Sequence, residues 1–295
     1  MKNVKAKTNE QIAMQVSANS IAVNLMLSIF KLIAGLMASS GAMISDAIHS
    51  ASDVFSTIIV IIGVKISGKA SDEDHPYGHD RFECVASTIL AILLGVTGVG
   101  IGLTGVQKLT AGHYDTLAVP GVLALAAAVI SIVVKEIMYW YTRNAAKKIN
   151  SGALMADAWH HRSDALSSVG SFVGIFGARM GFPMLDPLAS VVICLFVVKA
   201  AVDIFRDAIS KMTDKSCDQE TVNEMHDCIM NIQGVEGIDL LKTRSFGSKY
   251  YVDIEIKADG DKKLWEAHAI AENVHHVIEQ QFPLVKHCMV HVNPA

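Results

Sequence analysis

Asp46-Ala47-Ile48-His49-Ser50-Ala51-Ser52-Asp53, with Ser56 three residues on, is a phrase that the chain uses twice. It returns as Asp157-Ala158-Trp159-His160-His161-Arg162-Ser163-Asp164, with Ser167 three residues on. Both copies fit D-A-x-H-x-x-S-D-x-x-S, and each lies in a long apolar stretch. On a helix, His49 and Asp53 are i and i+4, one turn apart on one face, as are His160 and Asp164. Asp46 and Asp157 fall about two turns before those aspartates, near the same face. Two such helices facing each other offer two imidazoles and two carboxylates to one point. That is a four-coordinate site for a divalent metal, with ligands suited to zinc. One H-x-x-x-D pair would be weak evidence, since a polar residue in a membrane helix often only hydrogen-bonds to a neighbour. Two matching copies carry more, because ionisable groups inside a bilayer are costly and mark a pathway or a site.

The surrounding composition sets these phrases in a membrane. Of 295 residues, 51% are apolar and only 18% charged, and the charges are uneven. They thin out between about residues 16 and 208 and are dense after Asp214. This predicts a transmembrane domain over 1–211 and a soluble domain over 212–295. Stretches 17–39, 42–66, 84–108, 116–139, 153–180 and 184–207 reach the length of about 20 residues that a bilayer core requires. The first carries Asn19, Asn24 and Lys31 at helical spacing, giving one polar face. The third holds Gly95, Gly98, Gly100, Gly102 and Gly105, which permit close helix packing. The fourth, rich in Ala, Val and Leu, is expected to face lipid. The sixth opens at Asp186-Pro187, a good helix start.

Lys and Arg collect on one side of these spans. Lys2, Lys5 and Lys7 precede the first; Lys65, Lys69 and Arg81 separate the second and third. Lys135, Arg143, Lys147 and Lys148 are assigned to the region between the fourth and fifth, and Arg206, Lys211 and Lys215 follow the sixth. The positive-inside rule therefore puts both termini in the cytoplasm. The polar first 15 residues do not resemble a cleavable signal. The five cysteines show no paired spacing, which fits a reducing compartment or packing. A net charge of -4 with no basic tract gives no reason to expect a nucleic-acid partner.

The tail reads as α-β-β-α-β. Val222, Met225, Ile229 and Ile232 have helical spacing within 219–232. A strand follows over 235–243, then a turn at Phe246-Gly247-Ser248-Lys249 and an alternating strand over 250–256. A second helix spans 262–282 and a last strand 287–292. The order predicts a small α+β domain, with helices on one face of a three-stranded antiparallel or mixed sheet.

These features resemble the cation diffusion facilitator family of metal–proton antiporters over nearly the whole chain. The resemblance rests on Asn24 and Lys31, on S-D-A-I-H-S-A-S-D at 45–53 and on D-H-P-Y-G-H-D-R-F-E at 74–83. It continues with D-A-W-H-H-R-S-D at 157–164, L-D-P at 185–187 and the tail. It implies six transmembrane helices, a cytoplasmic ferredoxin-like (metallochaperone-like) tail, a homodimer and a plasma-membrane setting. It also implies a transport site at His49, Asp53, His160 and Asp164. By the same carry-over, Asp72, His75 and His79 form a loop metal site; the competing reading makes the loop a fixed turn built on His75-Pro76 and Gly78. A third metal site in the tail falls on Asp239, Glu255, His268 and His291. There the sequence departs from the histidine-rich pattern, with acids at two positions and Asn293 in place of a usual aspartate.

The implied activity is efflux of zinc in exchange for protons by alternating access, with iron, cobalt or manganese as alternative cargo. Metal needs ionised carboxylate and neutral imidazole, so it competes with protons at such a site. An intramembrane zinc enzyme is the rival class. Against it, there is no H-E-x-x-H, and four protein ligands leave no open position for a reacting water. A metal sensor working only through its tail would have no use for ionisable groups deep in the membrane.

Overall fold

The computed structural model describes residues 8–37, 41–111, 122–179 and 184–295. It divides into two compact units, Met1–Ala208 and Ile209–Ala295. The first is built from helices α1 (Asn9–Met37), α2 (Gly41–Ser67), α3 (Phe82–Ala111), α4 (Val122–Ile149), α5 (Gly152–Arg179) and α6 (Leu185–Met212). Among the described residues, three of these are long and apolar enough to cross a membrane on length and composition: Asn9–Ala34, Phe82–Thr110 and Pro187–Met212.

Helix ends are set by local chemistry. Helix α1 starts well before the apolar run because Thr8 and Gln11 form a reciprocal cap, Gln11 N donating to Thr8 Oγ1 at 3.2 Å and Thr8 N to Gln11 Oε1 at 3.1 Å. Helix α4 runs ten residues past the expected end at 139 and stops at Asn150, whose φ of 54° is the left-handed conformation of a helix C-cap. The Ser151 N–H then closes back on the Ala146 carbonyl at 2.9 Å, and Ser151 Oγ accepts from Leu154 N at 3.2 Å to start α5. This two-residue reversal lays α5 against α4.

The helical unit buries polar groups beside an apolar cluster that includes Val60, Leu94 and Leu154, and its outside is apolar. Asn24, Lys31, Ser50, Asp53, Thr57, Ser131, Lys135, Asp157, His161 and Asp164 are buried, while Met26, Ile33, Phe55, Val96, Leu103, Ile137 and Phe196 are exposed. In water that arrangement would be unfavourable; against hydrocarbon it buries the polar groups and matches the outer surface to the solvent. Of the polar residues of α1, Asn24 and Lys31 turn inward, with Lys31 Nζ donating to Ser50 Oγ of α2 at 2.8 Å, whereas Asn19 is exposed and donates to the Tyr141 hydroxyl of α4 at 2.8 Å. Only one face of α4 meets the expectation of lipid contact. Val133 and Ile137 are exposed, but Ser131, Lys135, Met138 and Thr142 are buried. Close packing of α3 on α6 uses glycines: a Cβ at Gly98 would lie 2.8 Å from Val197 Cγ1, and one at Gly105 2.9 Å from the Pro187 carbonyl. Gly100 faces open space and takes no part.

The second unit contains α7 (Gln219–Met230), β1 (Gly237–Phe246), β2 (Lys249–Ala258), α8 (Leu264–Gln281) and β3 (Val285–Pro294). The sheet order is β1-β2-β3, antiparallel in the first pair and parallel in the second, so it is mixed. Gly247, at φ 65°, makes the tight β1–β2 turn. Ile254 and Ile256 of β2 alternate inward and pack with Met225, Ile229, Val274, Ile278 and Cys288 into one apolar core. The fold class is thus a helical transmembrane domain joined to a small α+β domain.

Candidate metal centre

Helices α2 and α5 bring the two copies of the repeated phrase together. His160 Nε2 stands 3.4 Å from Asp53 Oδ1, and the ligand atoms of Asp53, His160 and Asp164 all lie within 4.8 Å of one another. Around a tetrahedral zinc with bonds of about 2.0–2.2 Å, neighbouring ligand atoms are roughly 3.3–3.6 Å apart. The His160–Asp53 separation already has that length. The side chains of His49 and Asp46 lie outside the described residues.

A lysine that sequence reading had counted among the charges between the fourth and fifth spans sits in the middle of this cluster. Lys135, on the inner face of α4, donates to Asp53 Oδ2 at 2.5 Å and to Asp164 Oδ2 at 2.9 Å. It is 2% exposed, so Lys135 belongs to the interior and not to the loop charges. The missed signal was its position, because 135 already falls inside the stretch 116–139.

Asp157, near the same face of α5 by its spacing, has a separate set of neighbours. Its Oδ1 accepts from Thr57 Oγ1 of α2 at 3.2 Å, and its Oδ2 faces His161 Nε2 at 3.5 Å. Ser20 of α1 reaches the same His161 nitrogen at 3.2 Å. These fully buried contacts fix α2 and α1 against α5 one turn from Asp53 and Asp164. Outside them, the Arg162 guanidinium lies 4.4 Å from the Tyr139 ring centroid, a further tie between α5 and α4.

A second convergent group lies on the loop before α3. His75 Nδ1 and His79 Nε2 stand 3.3 Å from Asp72 Oδ1 and Oδ2 respectively. The His79 ring also contacts the Ala70 carbonyl through Nδ1 at 3.1 Å, an orientation that directs Nε2 toward Asp72. The fixed turn is present too: Gly78 has φ 92° and its N–H donates to the His75 carbonyl at 2.9 Å. Turn and cluster are one construction. The His75 backbone N–H, at 2.8 Å from Asp72 Oδ1, holds the Asp72 carboxyl below the usual carboxylate range, with both imidazoles adding to the effect.

In the tail, the proposed four do not converge within one protomer. Asp239 pairs with Lys257 at 2.8 Å, and Asn293 donates to Asp239 Oδ2 at 3.0 Å and to Glu255 Oε2 at 3.4 Å. Lys257, then Asn293, hold the Asp239 carboxyl below its ordinary range. His268 and His291 instead line a cavity between α8 and the edge of β3, and His268 faces Glu272 at 3.6 Å. Among the described residues, the groups that could hold a metal are the Asp53 and Asp72 clusters.

A polar, imidazole- and carboxylate-bearing centre within apolar-surfaced helices, followed by an α+β tail, defines a membrane carrier for cations. Residues 17–213 match the cation efflux transmembrane domain, and residues 217–295 match the cytoplasmic domain of cation efflux proteins. The chain therefore belongs to the cation efflux family, the cation diffusion facilitators, and it is a divalent-metal efflux transporter that dimerises. It is 33% identical to the manganese efflux system protein MneP of Bacillus subtilis, over 98% of each chain. An uncharacterized transporter of Methanocaldococcus jannaschii is 36% identical over 93% of this chain and 95% of its own. Metal tolerance protein C1 of Arabidopsis thaliana is 33% identical over 91% of this chain, which spans 60% of that protein's length. Among solved structures, a MamM C-terminal domain aligns to 26% of this chain and 100% of its own, with 23% identity and a TM-score of 0.26.

Proposed function

We propose that the chain exports zinc from the cytoplasm across the plasma membrane in exchange for protons, through a site made by His49, Asp53, His160 and Asp164. The observation that carries this reading is the meeting of Asp53 on α2 with His160 and Asp164 on α5, within 4.8 Å. Two helices that each contribute part of one site can open it to either side by moving against their neighbours. Zinc accepts two nitrogens and two oxygens in a tetrahedron without d-electron cost, whereas manganese and magnesium favour oxygen-rich octahedral sites. Imidazole changes charge near neutral pH, so protons from outside displace the metal and reset the site.

The remaining assignments complete the proposal. Residues 1–211 form the six-span carrier and 212–295 the cytoplasmic tail, with both termini inside, supported by the Lys and Arg bias of the loops. Asp72, His75 and His79 hold a metal on the cytoplasmic loop, next to Glu73, Asp74 and Asp80, which raise the local cation concentration. Asp239, Glu255, His268 and His291 take part in metal binding between tails of a homodimer. A second reading, manganese as cargo, draws on the names of MneP and of MneS, the latter 33% identical over 93% of this chain. Purified protein in sealed vesicles, given equal zinc and manganese under a pH gradient, separates the two. Zinc moving first supports the nitrogen-ligand argument; manganese moving first overturns it.

A further inference from the structure

Lys135 is a cation where a cation carrier is expected to hold its cargo. Its ammonium bridges Asp53 and Asp164, and so stands between two of the three described ligand residues. A divalent metal bound to both carboxylates would stand beside it, since the ammonium is on the Oδ2 atoms and His160 faces Asp53 Oδ1. The two compete, because an ammonium and a divalent ion held by the same pair of carboxylates repel strongly in a dry interior. Beside the cluster is a polar cavity of about 40 Å³, lined by Ser131, Ser167 and Ser168 as well as by Lys31, Lys135 and the two aspartates. Such a space accommodates a water-sized group, and lysine's four-carbon stem is flexible enough to swing into it.

The geometry points to Lys135 as a resident counter-cation that holds the transport site when no metal is bound and that the incoming metal displaces toward these serines. This inference rests on reading Asp53, His160 and Asp164 as the transport site. It has two consequences. A carrier that returns without metal would leave two carboxylates unpaired in the membrane, at high cost; Lys135 neutralises part of that charge with a group that never leaves. The same ammonium competes with bound metal, which weakens binding and speeds release. Lys135 is thus a positioning residue, acting on the metal through the carboxylates.

The test is zinc binding and zinc flux with the full-length protein. Binding is followed in detergent by competition with a fluorescent chelator and counted as the part lost in Asp53→Ala. For Lys135→Met, this Asp53-dependent affinity is expected to tighten about tenfold or more. In vesicles the apparent KM for zinc falls with it, and the maximal rate falls too because release slows. Lys135→Arg keeps the charge and stays near the wild-type values. A lysine with a purely structural role gives the opposite sign, since its loss would loosen the site. Unchanged or weaker Asp53-dependent binding in Lys135→Met, or in Lys135→Gln if the methionine variant does not fold, overturns the inference while leaving the transport site standing. Zinc binding that ignores Asp53→Ala in the wild-type background overturns the site itself.

Discussion

The imidazole of His160 stands 3.4 Å from the carboxylate of Asp53, although the two residues belong to different helices and to different copies of one repeated phrase. That contact turns a sequence repeat into a candidate ligand set. It also locates the site among buried residues, where water does not compete for the ligands.

Asp53→Ala and Asp164→Ala are expected to lower zinc flux about 100-fold or more. Losing an outer partner of a metal ligand already costs about 10- to 100-fold, and these variants lose the ligand itself. Both should still insert and dimerise, as checked by size-exclusion chromatography of the purified protein. Flux near the wild-type rate from either variant would remove that residue from the site.

Much of this was legible in the sequence, and the misses have physical causes. The i, i+4 spacing of His160 and Asp164 placed them on one face, and helix formation delivered that face to Asp53. Asp72, His75 and His79 came from the family resemblance, and the turn before α3 brings their ligand atoms together. Lys135 was misplaced because counting cations at span ends ignores which face of a helix a charge occupies. Asp157 was placed near the same face, but spacing gives the face of its own helix and not the partners, which are Thr57 and His161. The tail's α-β-β-α-β order followed from alternation and helical spacing. That β3 would pair parallel to β2, around α8, is a long-range choice that neither strand's pattern encodes.

Asp72→Ala is expected to slow transport only a few-fold, because the loop cluster lies off the obligatory path through the helices. The purified variant should bind less zinc per protomer than the wild type. A complete loss of flux would place Asp72 on the path.

Helix packing gives a stability prediction. A Cβ at Gly63 of α2 would overlap the Ala86 Cβ of α3, so Gly63→Ala forces the helices apart at a cost of about 1–3 kcal/mol. Gly100→Ala meets nothing within 4 Å and should leave the melting temperature unchanged or slightly higher. Thermal unfolding in detergent compares the two, and equal effects would contradict the α2–α3 packing.

Burial pushes the Cys288 thiol up to about 12, with Glu279 and Asp253 adding to it. An unfolded cysteine ionises at about 8.5. The folded form thus keeps its proton in the window between these values while the unfolded form loses it. This contribution is present in full below the unfolded value and is lost as pH rises toward about 12. Native protein should resist alkylation at Cys288 at pH 8 and react once unfolded. Rapid labelling of the folded protein, read by mass spectrometry, would contradict the buried position.

The central claim, metal–proton exchange through the α2–α5 site, is tested most directly by zinc flux in sealed vesicles with and without a pH gradient, comparing the wild type with Asp164→Ala. The account predicts zinc movement by the wild type that accelerates with an opposing proton gradient, and almost none by Asp164→Ala. Zinc transport by Asp164→Ala at the wild-type rate, or wild-type flux indifferent to the gradient, would contradict it.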